Sequence, residues 1–125
     1  MTPLLVVAVA VAGGLGAVTR LVFDGFLRSR IMVAFPIGTT IINVTGSFLL
    51  GLVTSLALAH GLPTEWRVVL GTGFLGGYTT FSTASYETVR LAQRRRYRAA
   101  VANGFGMLVL SLLAAGFGLW LGSLF

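Results

Sequence analysis

The sequence predicts an all-α membrane protein of four transmembrane helices, the third of them interrupted. Three observations predict it. First, 56% of the 125 residues are hydrophobic and only 10% are charged, a balance that gives a short chain too little polar surface to stay dissolved in water. Second, residues 1–19, 31–59, 68–86 and 99–125 contain no Asp, Glu, Lys or Arg. Each run meets or approaches the roughly 20 residues with which a helix crosses a bilayer core. Third, a Gly-Gly pair followed by a hydroxyl-rich run stands in the middle of the third stretch.

The elements follow in order, within a single domain over 1–125. Span one is expected at about 4–23, and three further spans follow it. Its start lacks a basic segment, so Ala8-Val9-Ala10 reads as part of a retained helix and not as a signal cleavage site. Span two, about 36–59, opens near Pro36, a residue suited to a helix's first turn. Gly61-Leu62-Pro63 makes a turn into span three, about 67–92. Span four covers about 99–124. In lipid, helices are favoured because their backbone polar groups pair within the segment.

The net charge is +6 and every basic residue is Arg. The arginines sit beside the spans, which argues against nucleic acid as a partner and sets an orientation. Arg28 and Arg30 fall between spans one and two. Arg90, Arg94, Arg95, Arg96 and Arg98 fall between spans three and four. On the opposite side Arg67 is offset by Glu65. Positive residues favour the cytoplasm, so the first and third loops are expected inside. Arg94 to Arg98 read chiefly as this topology signal, with anionic-lipid binding the lesser reading.

Cysteine is absent, and the lone His60 has no metal-ligand neighbour in the sequence. With no acid–base pair, nucleophile set or cofactor motif, the sequence makes no case for an enzyme. Gly71-Thr72-Gly73-Phe74-Leu75-Gly76 spells a dinucleotide pattern, but no strand precedes it and it lies in a span. Asn43-Val44-Thr45 spells a glycosylation site inside span two. Gly73/Gly77 and Gly118/Gly122 each place small residues on one helix face, allowing close backbone approach.

The chemistry concentrates in Gly76-Gly77-Tyr78-Thr79-Thr80-Phe81-Ser82-Thr83. Two glycines followed by hydroxyls favour a broken helix. A break frees carbonyls for a cation and helix N-termini for an anion. The alternative is a packed kink with hydroxyls bonded to their own helix. Thr39, Asn43 and Ser47 recur every four residues and form one stripe; Ser82 and Ser85 share a face. Amide and hydroxyl hydrogens can replace water around a small anion, and the positive edge of Phe81 can face one. Interhelical hydrogen bonding explains the stripe equally well. Arg20 either draws anions into a vestibule or snorkels to headgroups. Glu87 lies near a span border.

Three blocks carry a family resemblance. They are Gly13-Gly14-Leu15-Gly16-Ala17-x-x-Arg20, Gly38-Thr39-x-x-x-Asn43-x-x-Gly46-Ser47-Phe48-x-x-Gly51 and Gly73-Phe74-x-Gly76-Gly77-x-Thr79-Thr80-Phe81-Ser82-Thr83. In this the chain resembles the Fluc/CrcB fluoride channel family over essentially its whole length. The resemblance implies a passive channel in the inner (plasma) membrane that lets trapped cytoplasmic fluoride leave, conferring fluoride resistance. It implies an antiparallel, dual-topology dimer with two pores and a central structural sodium ion (Na+) on backbone carbonyls, here those of Gly76 and Thr79. Asn43 would donate to fluoride and Phe81 would be a pore phenylalanine. Ser82 and Ser85 would continue a polar track joined by Ser111, with Thr39 on the same pathway.

Two departures from the family pattern sharpen the expectation. The family's second phenylalanine, three residues after the first, is Ala84 here. The arginine bias is also strong for a subunit that inserts both ways. Together they favour a heterodimer with a homologous, oppositely inserted partner over a homodimer. The alternatives are a small multidrug-type proton-coupled exporter, which needs a carboxylate within a span, and a nonconducting subunit of a channel pair.

Overall fold

The computed structural model describes residues 2–31 and 35–125. Met1 and residues 32–34, which belong to the first two charge-free runs, lie outside the described residues. Three helices are long and apolar enough to cross a membrane: α1 (Pro3–Arg30), α2 (Ile37–His60) and α5 (Tyr97–Ser123). A fourth crossing is shared by two shorter helices, α3 (64–78) and α4 (Ser82–Gln93), that meet at a break. None of the described residues forms a strand.

Helix α1 starts on a cap. The Thr2 hydroxyl accepts a hydrogen bond from the Leu5 N–H at 3.2 Å, and Pro3 occupies the first turn, where its missing donor costs nothing. The helix runs to Arg30, well past the expected end near residue 23. At 1.5 Å per residue its 28 residues reach about 42 Å, more than the roughly 30 Å hydrocarbon core. Arg28 and Arg30 therefore stand in the last helical turn and not in a loop. Cations are favoured there by the helix dipole, and Arg28 pairs with Asp24 one turn earlier at 3.1 Å.

Helix α2 begins after Pro36, which lies just outside the helix, and ends at Gly61, whose φ of 70° suits a residue without Cβ. Within α3, Val68–Leu75 is wound as a π-helix, with hydrogen bonds reaching five residues back; the Gly76 N–H still reaches the Gly71 carbonyl. Such winding is rare and marks sites of function or strain. The expected interruption is present, in the hydroxyl run just after the glycines. Gly76 and Gly77 are helical, and the chain departs from helix at Thr79, with φ −80° and ψ 159°.

The glycines instead serve close approach. A Cβ on Gly77 would collide with the Gly13 carbonyl, and one on Gly16 with the Phe74 carbonyl, so α1 and α3 touch backbone to backbone. A Cβ on Gly118 would meet the Phe48 carbonyl and one on Gly51 the Ala115 carbonyl, and this second seam joins α5 to α2. Both Gly-x-x-x-Gly faces are thus consumed inside the chain. The outer faces are apolar: Leu4, Val7, Val11, Leu15, Val18 and Val22 form one exposed stripe on α1. In water each such side chain forgoes roughly 1.5–3 kcal/mol. The stripe alone would cost on the order of 10 kcal/mol, comparable with a small domain's whole stability, so lipid is its solvent.

Candidate functional site

The break at residues 79–81 is held open by side chains that imitate backbone. The Asn43 amide of α2 pairs with Thr80 at two points. Its Nδ2 donates to the Thr80 carbonyl and its Oδ1 accepts from the Thr80 N–H, both at 2.8 Å. Nδ2 also lies 3.0 Å from the Met107 sulfur of α5. The Thr80 hydroxyl accepts from the Thr83 N–H at 3.1 Å, meeting a donor in the first turn of α4. On the other side, Arg20 Nε of α1 donates to the Gly77 carbonyl at 3.3 Å. Arg20 thus binds the end of α3.

Counting partners shows what is left over. The Thr80 N–H would bond Gly76 in an unbroken helix, but it is taken by Asn43. The Thr83 N–H would bond Thr79, but it is taken by the Thr80 hydroxyl. Among the described residues, the carbonyls of Gly76 and Thr79 are left with no recorded donor. The Tyr78 carbonyl has no donor among them either, so the break leaves a small group of backbone oxygens unmatched, of the type a hard cation takes.

Beside the break runs a groove of about 880 Å³. Asn43, Ser47, Gly76, Thr79, Phe81, Ser85 and Ser111 all line it, as does Ala84. Phe81 is 87% exposed, with its ring projecting from the molecule. Ser82 is exposed but does not line the groove. Nor does Thr39, which is 3% exposed and donates its hydroxyl to Glu87. Those two residues border a separate polar chamber of about 190 Å³ with Asp24 and Arg28. The expected stripe on α2 is therefore divided: Asn43 and Ser47 face the groove, and Thr39 faces the chamber.

Two groove residues, Asn103 and Thr88, escaped the sequence reading. Asn103 of α5 is 1% exposed and donates to the Thr88 hydroxyl at 2.8 Å. Its Oδ1 is buried without a partner, an uncommon condition for a native polar atom. The available signal was the spacing of Asn103 and Ser111, two turns apart on one face of an otherwise apolar span.

Comparison with known proteins accounts for this arrangement. Residues 7–119 match the family described as CrcB-like protein, Camphor Resistance (CrcB). The chain belongs to the CrcB family. The match takes in all four crossings, the break and the groove. Among CrcB relatives, a Leifsonia xyli protein named fluoride-specific ion channel FluC 1 is 75% identical over 99% of this chain and 90% of its own length. FluC 2 of Cutibacterium acnes, also named a fluoride-specific ion channel, is 51% identical over 92% of this chain and 94% of its own. A FluC protein of Acidobacterium capsulatum is 43% identical over 92% and 93%.

Proposed function

We propose that this chain is a passive, fluoride-selective channel subunit that lets cytoplasmic fluoride leave the cell. One observation carries the reading: near-full-length identity of 75% to a fluoride-specific channel, in a chain whose polar groups gather along one groove beside a broken helix. The task is transport and not catalysis. Fluoride is small and tightly hydrated, so a pathway must offer hydrogen donors in place of water. Ser85 and Ser111 bring hydroxyls to the groove. Asn43 supports the pathway from behind by fixing Thr80, and the positive ring edge of Phe81 faces the anion. Arg20 adds a positive charge behind the break.

The groove is open on one side, so a pathway needs a second subunit to close it. We assign that role to an antiparallel partner, with a homologous chain favoured over a second copy. Ala84 leaves the place of a second ring unfilled beside Phe81, and the arginines favour one insertion, with the first and third loops cytoplasmic. The Gly76 and Thr79 carbonyls would hold Na+; when bound it would supply positive charge at the junction of the two subunits. A nonconducting role for this chain within such a pair is the second reading, and Ala84 favours it.

Fluoride efflux from liposomes, read with a fluoride electrode, tests these readings. Vesicles holding this chain and a neighbouring homologue are expected to release fluoride, and this chain alone to release little. Robust efflux from the chain alone overturns the heteromeric reading. No efflux with either composition overturns the channel.

A further inference from the structure

The arginines between α4 and α5 belong to neither the groove nor the break. Arg90, Arg94, Arg95, Arg96 and Arg98 are all exposed. Among the described residues the recorded ion pair is Arg28 with Asp24, and Glu87 is engaged by Thr39, so none of the five has a carboxylate partner. The turn itself is closed by backbone bonds: the Arg95 N–H reaches the Ala92 carbonyl at 3.0 Å and the Arg96 N–H the Leu91 carbonyl at 2.9 Å. That closure forces Arg95 to a φ of 59°, the one positive value among described non-glycine residues. Helices that end this way favour glycine at that position because Cβ is crowded there.

The depth of the turn is set by its neighbours. Val101 and Phe105, exposed and apolar, lie one and two turns beyond Arg98 on the membrane-crossing helix α5. Tyr86 and Tyr97 are exposed at the same end, and the Arg90 guanidinium sits 5.8 Å from the Tyr86 ring centre. Aromatic residues with polar tips collect at headgroup level, so the arginines stand where phosphates are. Orientation in a membrane needs positive charge near the end of a span, in any backbone conformation and from Lys or Arg alike. It does not require arginine at a left-handed position. Guanidinium, in contrast to ammonium, grips a phosphate with two parallel donors.

We propose that the turn between α4 and α5 is a binding site for anionic phospholipid headgroups, with Arg94, Arg95 and Arg96 holding the phosphate. Nucleic acid is disfavoured by the depth of the site.

The test uses the purified full-length chain in a neutral detergent, so that insertion orientation plays no part. Phosphatidylglycerol and phosphatidylcholine are added in equal amounts, and retained lipid is read by native mass spectrometry alongside the Tm. Phosphatidylglycerol is expected to be retained by about tenfold or more over phosphatidylcholine, and to raise the Tm. The variant R94Q/R95G/R96Q is expected to lose both effects while its Tm without added lipid stays equal or rises, because glycine relieves the turn. A second variant, R94Q/R96Q, leaves the turn backbone untouched and is expected to lose most of the preference. Equal retention of the two lipids by the unaltered chain, undiminished preference in both variants, or retention of a single-stranded RNA oligonucleotide in place of phosphatidylglycerol would overturn the proposal.

Discussion

The seam between α1 and α3 and the break between α3 and α4 lie a few residues apart and are built by opposite means. At the seam, Gly16 and Gly77 let carbonyls and backbone meet directly, because the side chains that would intervene are absent. At the break, backbone groups are satisfied by side chains: the amide of Asn43, the hydroxyl of Thr80 and the guanidinium of Arg20. The difference teaches where each region is vulnerable. The seam fails when something is added, and the break fails when something is removed.

Replacing Asn43 is the strongest way to sharpen that contrast. Asn43→Ala leaves the Thr80 N–H and carbonyl unmet, at about 1–3 kcal/mol for each. The expected outcome is a loss of roughly 2–6 kcal/mol in an unfolding titration, with fluoride efflux of the reconstituted pair abolished. An unchanged unfolding midpoint would mean that the break stands without the amide.

Additions to the seam come next. Gly77→Ala drives a Cβ into the Gly13 carbonyl, and overpacking of this kind costs about 1–3 kcal/mol. Gly14→Ala, on the same helix with open space around it, is expected to be neutral or to gain up to about 1 kcal/mol of helix propensity. Equal Tm values for the two variants would break the claim that direct backbone contact holds α1 to α3. The smallest effect is expected from Thr80→Val, which removes the hydroxyl that meets the Thr83 N–H in the first turn of α4, at about 1 kcal/mol. Hydrogen exchange should show it as faster exchange of the Thr83 amide and not as global unfolding.

Much of the fold was written in the distribution of charge. The runs without Asp, Glu, Lys or Arg locate the crossings because burying a charge in lipid is costly. They do not locate helix ends, as α1 shows: its last turns carry Arg20, Asp24, Arg28 and Arg30, yet stay helical through dipole and ion-pair effects that hydropathy does not see. The existence of the break was legible in Gly76-Gly77 and the hydroxyls after them, but the residue at which the helix ends was not. Glycine allows either a turn or a close approach, and only the placement of α1 decides between them. The same limit applies to Asn43. Its residue type announced hydrogen bonding, whereas its pairing with Thr80 depends on how α2 lies against the break. The π-wound stretch left no sequence signal, since every residue in it also suits an ordinary helix. Asn103 was legible in principle, as an amide alone in an apolar span.

The oxygens left over at Gly76 and Thr79 bear on the pairing proposed above. Between apolar helix faces a bilayer offers almost no drive to associate, because acyl chains solvate leucine as well as another leucine does. It offers nothing at all to a bare carbonyl, at several kcal/mol for each group left facing hydrocarbon. In the proposed pair, attraction would therefore originate in this small patch of unquenched polarity, and the greasy flanks around it would merely permit the encounter.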